Sequence, residues 1–139
     1  MALTPAQILK TESQVLECAR RFLENHDYKL VQVINETGID PYFNYVFKHE
    51  GDKELVFVNV TYQLMAEEFI DAKIDRSEWE RRMTAWLVRE IKDNPDNDYT
   101  GYSIRADIVC VNILSGSKAL IRHHINALYE DANEGEDNE

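Results

Sequence analysis

The stretch Leu55-Val56-Phe57-Val58-Asn59-Val60-Thr61-Tyr62 limits the fold more than any other, because its density of β-branched and aromatic residues is that of a strand. Side chains on a strand alternate between faces, so Asn59 and Thr61 point to the same side. A segment otherwise built from apolar and aromatic residues therefore presents two neutral polar groups together.

The elements around this strand follow from local signals. Thr4 is a good N-cap, Pro5 fits the first helical position and Gln7 completes a capping box, which opens a helix predicted to stop near Asn25. Its apolar stripe is Ile8, Val15, Leu16, Ala19, Phe22 and Leu23. Strands are predicted over Tyr28 to Ile34, Tyr42 to Phe47 and Leu55 to Tyr62. Gly38 with Asp40-Pro41 reverses the chain before the second, and Gly51-Asp52 turns it into the third, which makes an antiparallel meander covered on one face by the first helix. Ser77 and Glu80 form a second capping box for a helix running to about Lys92, with Trp79, Met83, Trp86, Leu87 and Ile91 as its buried stripe. Asn94-Pro95-Asp96-Asn97-Asp98 breaks it. Two last strands, Ile104 to Leu114 and Lys118 to His124, are joined by Ser115-Gly116-Ser117, and the second runs on into a short helical turn at Asn126-Ala127-Leu128. The expected order is α-β-β-β-α-β-β, an α/β core with mixed strand directions.

A chain of 139 residues, 44% of them hydrophobic, suits one compact domain, taken as 1–129, that buries roughly two-thirds of its unfolded surface. The residues 130–139 read as an acidic, disordered tail. Six carboxylates there, Glu130, Asp131, Glu134, Glu136, Asp137 and Glu139, supply much of the formal charge of −11, and without them about −5 remains. Such a body repels phosphate backbones at long range, which favours a protein partner over nucleic acid. No apolar run approaches the roughly 20 residues that cross a bilayer, and the start Met1-Ala2-Leu3-Thr4-Pro5 lacks the regions of a signal peptide. The chain is expected to be soluble and cytoplasmic, with no membrane partner. Cys18 and Cys110 have no metal-ligand spacing and read as small buried hydrophobes.

Several stretches resemble the YraN-like family of small bacterial proteins with a restriction-endonuclease-like fold. Ala19-Arg20-Arg21-Phe22-Leu23 followed by Tyr28-Lys29-Leu30 resembles the family's helix end, Ala-x-x-Tyr-Leu, and its following Gly-Tyr strand. Leu55 to Thr61 resembles Leu-Val-Phe-Val-Glu-Val-Lys, Arg105-Ala106-Asp107-Ile108-Val109 resembles Arg-Phe-Asp-Val-Val, and His124-Ile125-Asn126-Ala127-Leu128 resembles His-Ile-x-Asn-Ala-Phe. The resemblance covers nearly the whole domain and implies a mixed central sheet flanked by helices. It also implies where a nuclease of this fold would hold its metal: an Asp on one strand and a Glu-x-Lys on the next, converging on Mg²⁺ and an attacking water. This chain departs at each place. Asn59 and Thr61 stand where the Glu and Lys would be, and Tyr42-Phe43-Asn44 matches Glu-Ile-Asp by length, so Asn44 stands for the Asp. A neutral amide and a hydroxyl cannot replace clustered anions around a hard cation.

The leading expectation is therefore a catalytically degenerate nuclease-fold protein acting as a binding or scaffolding module. Its former pocket would comprise Tyr42, Asn44, Asn59, Thr61 and Gln63, with no catalytic residue and no cofactor. The alternative is a metal-dependent nuclease or nucleic-acid-processing factor with a relocated site built from Asp40, Glu36 or Glu54, using Mg²⁺; Asp40 is the rival to Asn44 for the family's Asp position. A homodimer through a sheet edge is a third possibility. His123 and His124, adjacent in a strand, point to opposite faces as one buried and one exposed histidine. Arg105 and Asp107 share a face and read as a structural ion pair on a core strand beside the former site. The basic residues Arg76, Arg81, Arg82, Arg89 and Lys92 form the wet face of the second helix, among the acidic Glu67, Glu68, Asp71 and Asp75.

Overall fold

The computed structural model describes residues 4–69, 73–115 and 118–128. The acidic tail, Asp71 and the turn residues Gly116 and Ser117 lie outside the described residues. The elements are α1 (Pro5–Glu24), β1 (Tyr28–Val33), β2 (Tyr45–His49), β3 (Glu54–Leu64), α2 (Arg76–Asp93), β4 (Ser103–Ser115) and β5 (Lys118–His124). The strands form one mixed sheet in the order β1-β2-β3-β4-β5. The first three run as the antiparallel meander expected, β4 lies parallel to β3 after the α2 crossover, and β5 returns antiparallel.

The two helices cover opposite faces. On the α1 side, Val15, Leu16, Ala19 and Leu23 pack against Val56, Val58 and Val60 of β3 and Val109 and Val111 of β4. On the α2 side, Trp79 and Met83 pack with Phe43, Val46, Phe57, Ala106 and Ile108, joined by Ala127 and Leu128 of the helical turn after β5. The alternation along β3 thus puts Phe57 and Asn59 on the α2 face. No helix among the described residues is long and apolar enough to cross a membrane.

Three local expectations are corrected. β2 begins at Tyr45 rather than Tyr42, because side chains hold residues 40–44 in a loop, described below. α2 is capped by Asp75, whose carboxylate accepts from Glu78 N at 3.2 Å, rather than by Ser77; the intended partner Glu80 is instead paired with Arg76 at 3.0 Å. Ile91, assigned to the buried stripe, is 66% exposed, while Glu90 is buried and accepts from Asn97 Nδ2 at 3.0 Å. The α1 capping box forms as expected, with Thr4 and Gln7 bonding reciprocally at 2.8 and 3.2 Å.

Candidate functional site

Asn44 and Asn59, the positions that the sequence resemblance sets against nuclease ligands, are amides that hold a loop. Asn44 is fully buried directly before β2. Its Nδ2 donates to Asn35 O and Gly38 O, both at 2.8 Å, and its Oδ1 accepts from Asp40 N at 3.1 Å. Its own N–H donates to Val58 O at 2.9 Å and its carbonyl accepts from Ile34 N at 2.8 Å. Asn59, only 4% exposed, reaches the same loop from β3, donating Nδ2 to Tyr42 O at 2.5 Å and Pro41 O at 3.4 Å. From the other side, Glu12 of α1 accepts from Ile39 N at 2.7 Å. Buried carbonyls need donors. An amide nitrogen supplies two of them and an ionised carboxylate none. The amides of Asn44 and Asn59 therefore supply donors to the carbonyls of residues 35, 38, 41 and 42, while Asn59 Oδ1 is buried without a partner.

Farther along β3 the pattern recurs. Gln63 donates Nε2 to Glu68 O at 3.1 Å and accepts from Cys110 Sγ at 3.3 Å, while Asn112 of β4 clasps Ala66 by both its N–H (3.1 Å) and its carbonyl (2.8 Å). Thr61 is half-buried and pairs in register with Cys110. Asn112 was not singled out in the sequence; a lone polar residue inside Ile108-Val109-Cys110-Val111-Asn112-Ile113-Leu114 was the available signal. Both cysteines are unpaired, Cys110 buried and Cys18 half-buried, the latter with its thiol pKa raised by burial against the opposing pull of Arg21.

The three carboxylates proposed for a relocated site are not brought together. Asp40 accepts from Tyr42 N at 2.8 Å, forming a local turn, and Glu36 is exposed on the loop. Glu54 bonds Arg105 Nη1 at 2.9 Å. Among the described residues, no group of three or more His, Cys, Asp or Glu side chains is placed to share a metal ion.

Arg105 and Asp107 do pair, on the α1 face, opposite to Asn59 rather than beside it. Asp107, with no exposed surface, accepts from Arg105 Nε at 3.0 Å, His123 Nε2 at 2.7 Å and Asn126 N at 2.9 Å. Arg105 also bonds the Tyr28 hydroxyl. Burial works against the Arg105 charge, but Asp107, Tyr28 and Glu54 outweigh it and raise its pKa. Tyr28 is pushed up to about 12, first by burial and then by the Asp107 carboxylate. His123 and His124 are both half-buried rather than one buried and one exposed.

Beside the amide-held loop lies a groove of about 220 Å³ between residues 40–43 and the middle of α2, lined by Tyr42, Phe57, Trp86, Arg82, Arg89 and Asp40, among others. The Arg82 guanidinium sits 3.6 Å above the Tyr42 ring. Trp86 meets Phe57 edge-on at 5.4 Å, and its Nε1 donates to Gln32 Oε1 at 2.8 Å. The wet face expected for α2 holds for Arg76, Arg81 and Arg82, which pair with Glu80 or Glu78. Arg89 has no such partner among the described residues. Comparison with known proteins finds no family whose model matches this chain and no curated protein similar to it.

Proposed function

We propose that this chain is a catalytically degenerate protein of the restriction-endonuclease-like fold, a YraN-like relative that acts in the cytoplasm as a non-enzymatic binding or scaffolding module. The arrangement of an antiparallel meander, a helical crossover and a parallel fourth strand supports that fold. The observation that carries the reading is the double engagement of Asn44 and Asn59 with loop carbonyls, which turns both ligand positions into structural donors. With Thr61 in the lysine position, nothing there supplies an anion for Mg²⁺ or a cation for a scissile phosphate. A net charge of −11 favours a protein partner.

Incubating the purified protein with branched and single-stranded DNA in Mg²⁺ or Mn²⁺ tests this. The expected result is no cleavage above a metal-free control. Metal-dependent cutting that is abolished by Asn44→Ala or Asn59→Ala would refute it, and cutting abolished by Asp40→Ala or Glu54→Ala would establish the relocated site instead.

A further inference from the structure

We infer that the groove beside α2 is a docking site for an acidic peptide segment of a partner protein, taking one large apolar side chain between two guanidinium groups. This names the partner chemistry for the binding role proposed above and rests on that reading. The size of the groove, about 220 Å³, is the first observation. It falls below the roughly 300 Å³ at which sites for whole small molecules begin, and matches a single bulky side chain.

The walls are the second. Trp86 is fixed by its bond to Gln32 and by its edge-on contact with Phe57, so its polar edge is satisfied and its remaining surface offered to the groove is apolar. An aromatic or large aliphatic anchor gains from that surface without leaving a buried polar group unpaired.

Charge decides what flanks the anchor. Arg82 and Arg89 are seven residues apart on α2, roughly two helical turns or 10 Å, and both line the groove. Arg82 is already oriented by stacking on Tyr42 and by its 3.0 Å pair with Glu78, whereas Arg89 has no ionic or hydrogen-bonding partner among the described residues. The one carboxylate in the lining, Asp40, is turned to Tyr42 N. Arg89 and the Tyr42-stacked Arg82 form a local basic pair that overrides, at contact range, the long-range repulsion of the net negative chain, and they select for carboxylates on either side of the inserted side chain. An extended peptide advances roughly 3.3 Å per residue and alternates its side chains, so carboxylates two residues before and two after the anchor share its face, about 13 Å apart along the chain, and their flexible side chains reach the two arginines.

The test uses two synthetic peptides, Ac-Glu-Glu-Phe-Glu-Glu-NH2 and Ac-Lys-Lys-Phe-Lys-Lys-NH2, with the intrinsic fluorescence of Trp86 as readout; Trp79 is only 3% exposed and reports little. The acidic peptide is expected to change the fluorescence saturably, the basic one not to. Arg89→Glu is expected to weaken the acidic peptide at least tenfold. Arg89 is exposed on the helix, so this change leaves folding intact, which circular dichroism confirms. Equal binding of both peptides, no binding of either, or an unaltered affinity in Arg89→Glu would overturn the proposal. So would displacement of the acidic peptide by an oligothymidylate of comparable length at lower concentration, which would assign the groove to nucleic acid. Failure of the peptide in a protein that also fails to cut DNA removes only the groove assignment and leaves the non-catalytic reading standing.

Discussion

Asn44→Asp, an exchange of one side-chain atom, is expected to destabilise the protein by about 4 kcal/mol at neutral pH, from lost hydrogen bonds and from the cost of holding a buried carboxyl neutral at that pH. The amide nitrogen at this position faces the carbonyl oxygens of Asn35 and Gly38, each 2.8 Å away, in a site with no exposed surface. A carboxylate oxygen placed there meets two acceptors of like partial charge. The new acid is held neutral by burial and by those carbonyls, so its folded pKa rises above the unfolded value near ~4. The folded state then binds more protons than the unfolded one above that pH, and stability falls as the pH rises toward neutrality. Asn44→Ala loses the same donors without adding a charge and is expected to cost about 2 kcal/mol with no such pH dependence. Urea unfolding of the three proteins between pH 4 and pH 8 checks both statements. An Asn44→Asp protein as stable as wild type at neutral pH would show that the amide is not needed as a donor.

Asp107→Ala is expected to cost about 3 to 5 kcal/mol, the range for removing one partner of a buried ion pair. The carboxylate satisfies Arg105 at 3.0 Å, His123 at 2.7 Å and the Asn126 N–H at 2.9 Å, and it ties the end of β5 to β4. Removal leaves the Arg105 guanidinium, 8% exposed, with Glu54 as its remaining carboxylate partner. Replacing both members, as Arg105→Met with Asp107→Leu, is expected to be less damaging than Asp107→Ala alone, because no unpaired charge remains buried. The comparison is made by urea denaturation. A loss below about 1 kcal/mol in Asp107→Ala would mean that the cluster is decorative rather than structural.

The order of elements was legible because the signals behind it are local. Thr4 and Gln7 cap α1 as their spacing requires, and β3 runs without a bulge from Glu54 to Leu64, so Asn59 and Thr61 share a face as the alternation requires. What escaped the sequence depends on contacts between distant segments. Tyr42 and Asn44 have strand-like neighbours, yet β2 starts at Tyr45, because Asn59, fifteen residues beyond Asn44, draws Tyr42 O toward it while Asn44 turns to residues 35–40. Glu90 is buried in place of Ile91 because Asn97, past the helix end, folds back to meet its carboxylate. The cap of α2 was misplaced for a simpler reason: Asp75 and Ser77 are both good caps, and the Arg76–Glu80 pair removes the glutamate that Ser77 needed.

At the candidate site, the neutral side chains of Asn44, Asn59 and Thr61 could be read from residue identities alone. What the two amides hold could not, since an amide's value as a donor depends on which carbonyls come within reach. Those carbonyls belong to Asn35, Gly38, Pro41 and Tyr42, whose path is fixed by Glu12 of α1 as much as by the sheet. The groove was illegible for the same reason. Arg82 reads as one more solvated helix charge until Tyr42 is found beneath it at 3.6 Å.

Calorimetric titration of Mn²⁺ into the wild-type protein addresses directly whether Asn44 and Asn59 serve the loop or a metal. With the Nδ2 of both amides on backbone carbonyls, and no cluster of three or more His, Cys, Asp or Glu side chains among the described residues to join the unpartnered Asn59 Oδ1, millimolar Mn²⁺ is expected to produce no saturable heat and no rise in melting temperature. Saturable uptake of one ion that disappears in Asn44→Ala and in Asn59→Ala would contradict this and establish these positions as metal ligands.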